Sequence, residues 1–171
     1  ARRYGKPLSA VMIDVDHFKR WNDMHGHQVG DMVLQRVAQL VSSVSREIDT
    51  YGRYGGEELM VVLPETPMGQ AVIYAERLRA AVEQQGLQLR EQFPDSSLTI
   101  SIGVTSLALT GDDLERLIQR ADAALYGSKK GGRNLVSVLP PGMSVPALAD
   151  SAAAMEEAEP TADVDAEPSD E

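Results

Sequence analysis

The sequence of 171 residues contains no cysteine. That excludes a disulfide, a thiolate metal site and a cysteine nucleophile, and is compatible with a reducing compartment. Long apolar runs are missing as well. None approaches the roughly 20 residues of a membrane span, and no signal-peptide pattern opens the chain. After Arg133 there is no Lys or Arg, while nine acids follow: Asp150, Glu156, Glu157, Glu159, Asp163, Asp165, Glu167, Asp170 and Glu171. They carry most of the net charge of −10. Without them sixteen basic side chains face seventeen acids, so a local basic pocket for a polyanionic ligand is not excluded. A G-x-x-x-x-G-K-[ST] loop is also lacking, which leaves a P-loop nucleotide hydrolase unsupported.

What is present suffices for one domain with a genuine core and is too short for two comfortable ones. Residues 8–15 read as a strand buried on both faces, ending in acids. From Asp31 to about Ser45, Val33, Val37, Leu40 and Val44 recur at helical spacing. Residues 50–54 and 58–63 read as two strands joined by a tight Gly55-Gly56 turn. A second amphipathic helix carries Ala71, Ala75, Leu78 and Val82 and is expected to stop near Gly86. Residues 98–107 form another strand. A third helix starts near Asp112 or Asp113 and shows Leu114, Leu117, Ile118, Ala121 and Leu125 on one face; residues 133–139 close the domain as a short strand. This order, with a hairpin in its middle, predicts an α+β fold in which helices flank a sheet. The domain is expected over residues 1–139. Residues 140–171, rich in Ala, Ser, Pro, Asp and Glu, are expected to form a disordered acidic tail, since they cannot bury enough apolar surface to offset chain entropy. Opening on Ala1 and not Met, the chain is expected to be a fragment whose upstream partner is missing.

Two acidic clusters invite chemistry. Asp14-Val15-Asp16 stands at the exit of the first strand, and Glu57-Glu58 follows the diglycine turn. If those strands are neighbours, Asp14 and Glu57 converge at one rim of the sheet. Oxygen donors without His or Cys suit magnesium, which could hold a triphosphate while phosphorus is attacked. Against this, acids often simply mark where a strand meets water. Lys19, Lys129, Lys130 and Arg133 could meet phosphate, the last three flanking Gly131-Gly132, although surface lysines are usually just solvated. His17, His25 and His27 could suggest zinc, but hard ligands dominate the neighbourhood. Asn22 and Asp31 could together read a guanine edge, while Asp31 equally suits a helix start. Arg46 and Asp49, three apart, could bind a ligand bearing phosphate and guanine, or pair with each other on the surface.

Taken together, the segments resemble the GGDEF family of diguanylate cyclases from about Arg3 to Val138. The first block is Ile13-Asp14-Val15-Asp16-His17-Phe18-Lys19-Arg20-Trp21-Asn22-Asp23 followed by Gly26-His27-Gln28-Val29-Gly30-Asp31. Arg53-Tyr54-Gly55-Gly56-Glu57-Glu58-Leu59 is similar to the signature hairpin. Residues 98–104 and 121–126, then Lys129 and Gly132-Arg133-Asn134, complete the pattern.

The resemblance implies a cyclase- or palm-like central sheet, mixed but largely antiparallel. It implies an enzyme that condenses two GTP into cyclic di-GMP with magnesium, or manganese in its place. Asp14, the carbonyl of Val15 and Glu57 would hold the metal, with Glu58 close by. Glu57 would also be the base for the attacking 3′-hydroxyl, and Lys19 would stabilise charge in the transition state. Asn22, His27 and Asp31 would hold GTP, and Lys129 and Arg133 its phosphates. Arg46 and Asp49, with Arg77 on the second helix, fall where the family binds its inhibitory product. The resemblance further implies a cytoplasmic protein, a transient homodimer and an upstream sensory or receiver domain, with no nucleic-acid partner and no membrane contact from this segment. The rival is a module that only binds GTP or cyclic di-GMP. Two departures stand out. Leu59 replaces the usual Phe and is expected to point away from the paired acids, altering packing more than chemistry. The family's leading helical segment is expected to be missing before Ala1.

Overall fold

The structure, a computed structural model, describes residues 1–94, 96–108 and 112–143. After a short 3-10 turn (Arg2–Tyr4) come β1 (Leu8–Val15), α1 (Phe18–His25), α2 (His27–Val44), β2 (Thr50–Gly55) and β3 (Glu58–Pro64). Then follow α3 (Met68–Leu89), β4 (Ile100–Ser106), α4 (Leu114–Lys130) and β5 (Val136–Val138). The sheet runs β2-β3-β1-β4-β5, antiparallel at every pairing except β4 with β5. It is thus the α+β arrangement expected, mixed and mostly antiparallel.

Central β1 is buried along nearly its whole length, which explains its unbroken apolar run. Its residues alternate between two unequal layers. Val11, Ile13 and Val15 join the larger core with Val33, Val37 and Val41 of α2 and Ala71, Ala75 and Leu78 of α3. Met12 faces the other way, with Ala121 and Leu125 of α4. That second layer is thin because α4 lies almost on the backbone of β4: a Cβ at Gly103 would collide with Ala121 O and Leu125 N. Gly86 has a similar function. A Cβ there would strike the Leu98 carbonyl, so the glycine lets α3 pass close to the chain entering β4. The helix does not stop there, as its sequence suggested, but continues to Leu89.

Two further boundaries differ. Helix α2 begins at His27, four residues before the periodic stretch, because Gly26 (φ 81) ends α1 and starts α2 in a conformation suited to glycine. The hairpin turn is Gly56-Glu57 and not Gly55-Gly56: Gly55 pairs with Glu58, after an irregularity between Arg53 and Gly55. Arg53 Nε closes the turn on the Gly56 carbonyl at 2.7 Å. Helix α1 was not foreseen, since Trp21 is its only buried residue. Trp21 Nε1 donates to the Ser97 carbonyl (3.1 Å), and its ring packs edge-on against Phe93. The chain after β5 makes a turn in which Met143 N donates to the Pro140 carbonyl (3.3 Å). The rest of the expected tail, 144–171, lies outside the described residues.

Candidate active site

The β1–β3 register sets Asp14 directly opposite Glu58. Both occupy the α4 side of the sheet, two residues beyond the Met12–Met60 pair of that layer. Leu59 points to the opposite layer, 6% exposed within the large core. Its departure from the signature is therefore a matter of packing. Glu57 sits on the adjoining turn, near enough for its charge to act on Asp14. Glu57 and Glu58 are both half-buried.

Asp14 is 5% exposed, and Lys129 reaches it from the last turn of α4, Nζ to Oδ2 at 2.8 Å. Burial pushes the Asp14 carboxyl up to about 6. Lys129 opposes that rise, while Glu57 and Glu58 add to it. Glu58 is raised as well, first by burial, with Asp122 and Glu57 contributing and Lys129 opposing. Three acids crowded at one rim, with one lysine among them, make a site that favours a further positive charge. Among the described residues, no three acid or histidine side chains already form a metal cage. Magnesium does not require one. It commonly takes one or two carboxylates and completes its shell with water and substrate phosphates. The all-oxygen donors here, with the Val15 carbonyl at the end of β1, fit that habit.

Asp16, from the same acidic run, behaves differently. It is 1% exposed, and its carboxylate accepts from Thr99 Oγ1 (2.8 Å), Ser101 Oγ (2.6 Å) and the backbone N–H of Asn134 (3.0 Å). Sequence reasoning gave it no role. A signal was there in the polar Ser101 of the buried β4 and in Thr99 just before it, since polar groups in a buried strand need partners.

Asn22 lies against Gly30, the residue before Asp31. A Cβ at Gly30 would collide with Asn22 Oδ1, so the glycine lets the amide of α1 lie against the first turn of α2. A groove of about 330 Å³ lies between Leu34 and Ala38 of α2 and Gly52, Arg53 and Glu57 of the hairpin. Lys19 and His27 stand exposed at the starts of α1 and α2. The lysine that meets Asp14 is Lys129, expected from sequence to meet phosphate. Arg133 follows it, exposed, in a turn with φ 65. Of the histidines, His25 pairs with Ser96 Oγ (2.7 Å) and packs against Trp21 and Phe93.

At the other side of the hairpin, Arg46 and Asp49 do pair. Nη2 donates to Oδ1 at 2.9 Å, and the Arg46 backbone N–H donates to Oδ2 at 2.7 Å. Asp49 is buried in this contact, whereas the Arg46 side chain is 50% exposed. Its guanidinium also donates to Thr66 Oγ1 (2.6 Å) and lines a cavity of about 240 Å³ with Tyr74 and Arg77. Arg77 is anchored to the Val44 carbonyl at 2.7 Å.

Comparison with known proteins bears on the family and the fold. Diguanylate cyclase A of Treponema denticola is 44% identical over 131 residues, covering 77% of this chain and 35% of that protein. Response regulator PleD of Caulobacter vibrioides is 43% identical over 132 residues, covering 77% of this chain and 29% of the regulator. The chain thus spans about a third of the length of the curated relatives it matches. Among solved structures, the GGDEF domain of DgcB from Caulobacter crescentus in complex with c-di-GMP superposes with a TM-score of 0.75 at 35% identity, covering 81% of each chain. The active GGEEF domain of a diguanylate cyclase from Vibrio cholerae gives a TM-score of 0.75 at 37% identity, over 81% of this chain and 86% of that one. Residues 1–135 match the family described as diguanylate cyclase, GGDEF domain, and the chain belongs to that family.

Proposed function

We propose that the chain, as a domain over residues 1–139, is one half of a diguanylate cyclase. It holds one GTP and, facing a second copy, forms cyclic di-GMP with release of two pyrophosphates. The observation that carries this reading is the register opposing Asp14 to Glu58, with Glu57 on the adjacent turn and Lys129 arriving from α4.

Asn22, which lies against Gly30, and the neighbouring Asp31 hold the guanine; the Asp31 carboxylate accepts from N1–H and the 2-amino group. The groove between α2 and the hairpin takes the nucleoside towards the acids, and His27 adds a contact near the start of α2. Lys129 and Arg133 hold the phosphates, Lys129 turning from Asp14 towards the incoming anion. Asp14, the Val15 carbonyl and Glu57, with Glu58 beside them, hold magnesium, or manganese in its place. The bound metal would offset charge on the phosphate oxygens. Glu57 accepts the proton of the 3′-hydroxyl, and Lys19 stabilises charge as the α-phosphorus of the facing GTP is attacked. Each 3′-hydroxyl attacks across the interface, so one chain alone completes no product. Transient homodimerisation is therefore part of the reaction, and an upstream sensory or receiver domain in the cytoplasm would arrange it.

The cavity beside Arg46, Asp49 and Arg77 supports inhibition by the product, because it offers two guanidinium groups to phosphate; the Asp49 carboxylate would first have to leave Arg46 to meet guanine. Incubating a dimerised form with GTP and magnesium, then weighing the product by mass spectrometry, tests the reading. Cyclic di-GMP is expected, and Asp14→Asn should abolish it. Activity that survives this substitution refutes the metal assignment.

A further inference from the structure

The turn that follows α4 has an unusual backbone. Gly132, Arg133 and Asn134 take φ values of 116, 65 and 48 in succession. Two of these residues are not glycine, and left-handed backbone is strained for side chains with a Cβ, so neighbouring structure must hold it. The Arg133 backbone N–H donates to the Ser128 carbonyl of α4 at 3.0 Å, and Asn134 is held at two further points. The buried Asp16 carboxylate accepts the Asn134 backbone N–H at 3.0 Å. The Asn134 side chain in turn accepts from Arg79 Nη1 and donates to Glu83 Oε1, both at 2.8 Å, which ties the turn to α3.

Asp16 is itself fixed. Ser101, fully buried, and Thr99 donate to it from β4 and the residue before it. Three donors on one carboxylate satisfy it within the protein. Its place in the chain, two residues after Asp14, would equally suit a metal ligand, but its bonding assigns it elsewhere.

We propose that Asp16 and Asn134 form a clasp that positions Arg133, and with it the Lys129 end of α4, to receive the triphosphate. These are positioning residues and do not touch the nucleotide. The inference rests on the nucleotide site described above, and deepens it. Residues at the end of β1 would govern both the metal, through Asp14, and the shape of the phosphate-binding turn, through Asp16. Without the clasp the turn relaxes to ordinary backbone angles and Arg133 points elsewhere, while the guanine-reading pair Asn22 and Asp31, on other helices, stays in place.

The test compares Kd for GTP and for guanosine, both with magnesium, by NMR titration of the full chain. Asp16→Ala should weaken GTP at least tenfold and guanosine less than twofold. Asp16→Asn, which keeps one acceptor oxygen, should recover part of that loss. Asn134→Gly keeps the N–H and the backbone angle but drops the two side-chain bonds, and should weaken GTP severalfold with the same selectivity. If Asp16→Ala does not fold, the Asn134 variant decides, since its side chain is only half-buried. Equal losses for both ligands, or an unchanged ratio, would overturn the proposal. Amide exchange supplies a nucleotide-free measure. A protected Asn134 N–H supports the clasp, and exchange at the rate of an open loop overturns it. Should the unaltered chain bind no GTP, the nucleotide reading itself has failed, an outcome visible before any substitution is made.

Discussion

Removing Asp112 tests how α4, which delivers Lys129, is fixed to the sheet. Arg120 of α4 is 5% exposed and Asp112 6% exposed. The guanidinium donates through Nη1 to Oδ1 at 2.9 Å and through Nη2 to Oδ2 at 2.6 Å. It also reaches Thr105 Oγ1 (3.2 Å) and the Ser106 carbonyl (3.0 Å). Asp112→Ala leaves a buried cation with only neutral partners, which costs about 3–5 kcal/mol. For a domain of this size that lowers the melting temperature by roughly 6–20 °C. Replacing both residues, as Asp112→Ala with Arg120→Met, removes the stranded charge and should return stability to within about 1 kcal/mol of the unaltered chain. The pH dependence has a definite sign. The bidentate bond from Arg120, helped by the Ala108 backbone N–H, lowers the Asp112 carboxyl from 3.8 to about 2. A depressed carboxyl contributes above its unfolded value. Here the contribution, roughly 2 kcal/mol by linkage, is lost as pH falls from about 4 through 2. Urea unfolding from pH 7 to pH 2 should show that slope in the unaltered chain and lack it in the double variant. A single variant destabilised by less than 1 kcal/mol, or a slope unchanged in the double variant, would refute the reasoning.

Three other substitutions probe the site directly. Gly30→Ala should push Asn22 off the first turn of α2 and raise the Kd for GTP about tenfold, the scale of one lost hydrogen bond to a charged or well-fixed partner; an unchanged Kd by calorimetry would contradict the role given to Asn22. Gly103→Ala should cost about 1–3 kcal/mol in urea unfolding, because backbone and not a pliable side chain stands in the way, and should lower turnover by shifting Lys129 from Asp14. Arg46→Ala should raise the concentration of cyclic di-GMP needed to halve activity by at least tenfold, with the initial rate retained; inhibition at the original concentration would remove the role given to the cavity.

Strands β1, β3 and β4 and the three long helices were legible because each buries a continuous run or a regular stripe, whereas exposed β2 was legible only through the glycine turn beside it. Val33, Val37 and Val41 announce α2, and the unbroken run of β1 announces a strand covered on both sides. Helix α1 was not legible, because a helix that buries only Trp21 leaves no period to read. Glycines misled where they serve contact and not termination. Gly86 looked like a stop and proved to be a clearance for Leu98. Gly55 looked like a turn residue and proved to be paired, so that Glu57 moved onto the turn itself. A residue without a side chain marks a place where something is near or the chain bends, and one sequence does not distinguish the two.

The acids make the same point about chemistry. Asp14 and Asp16 are two apart on one strand exit, identical in type and both nearly inaccessible. Spacing put them in one cluster. Their surroundings separate them completely. Asp14 meets Glu58 across the β1–β3 ladder, with Glu57 and Lys129 nearby, and burial among like charges raises its carboxyl. Asp16, one step past the strand, meets two hydroxyls and a peptide N–H. One carboxylate thus meets an ammonium group among like charges, and the other is spent on holding backbone. Which acid does which was decided by residues 99, 101, 129 and 134, all more than 80 positions away in the chain. Sequence motifs can nominate the donors of a metal site. Only the long-range pairing of strands and helix ends determines which of them remains available to a metal of the kind proposed.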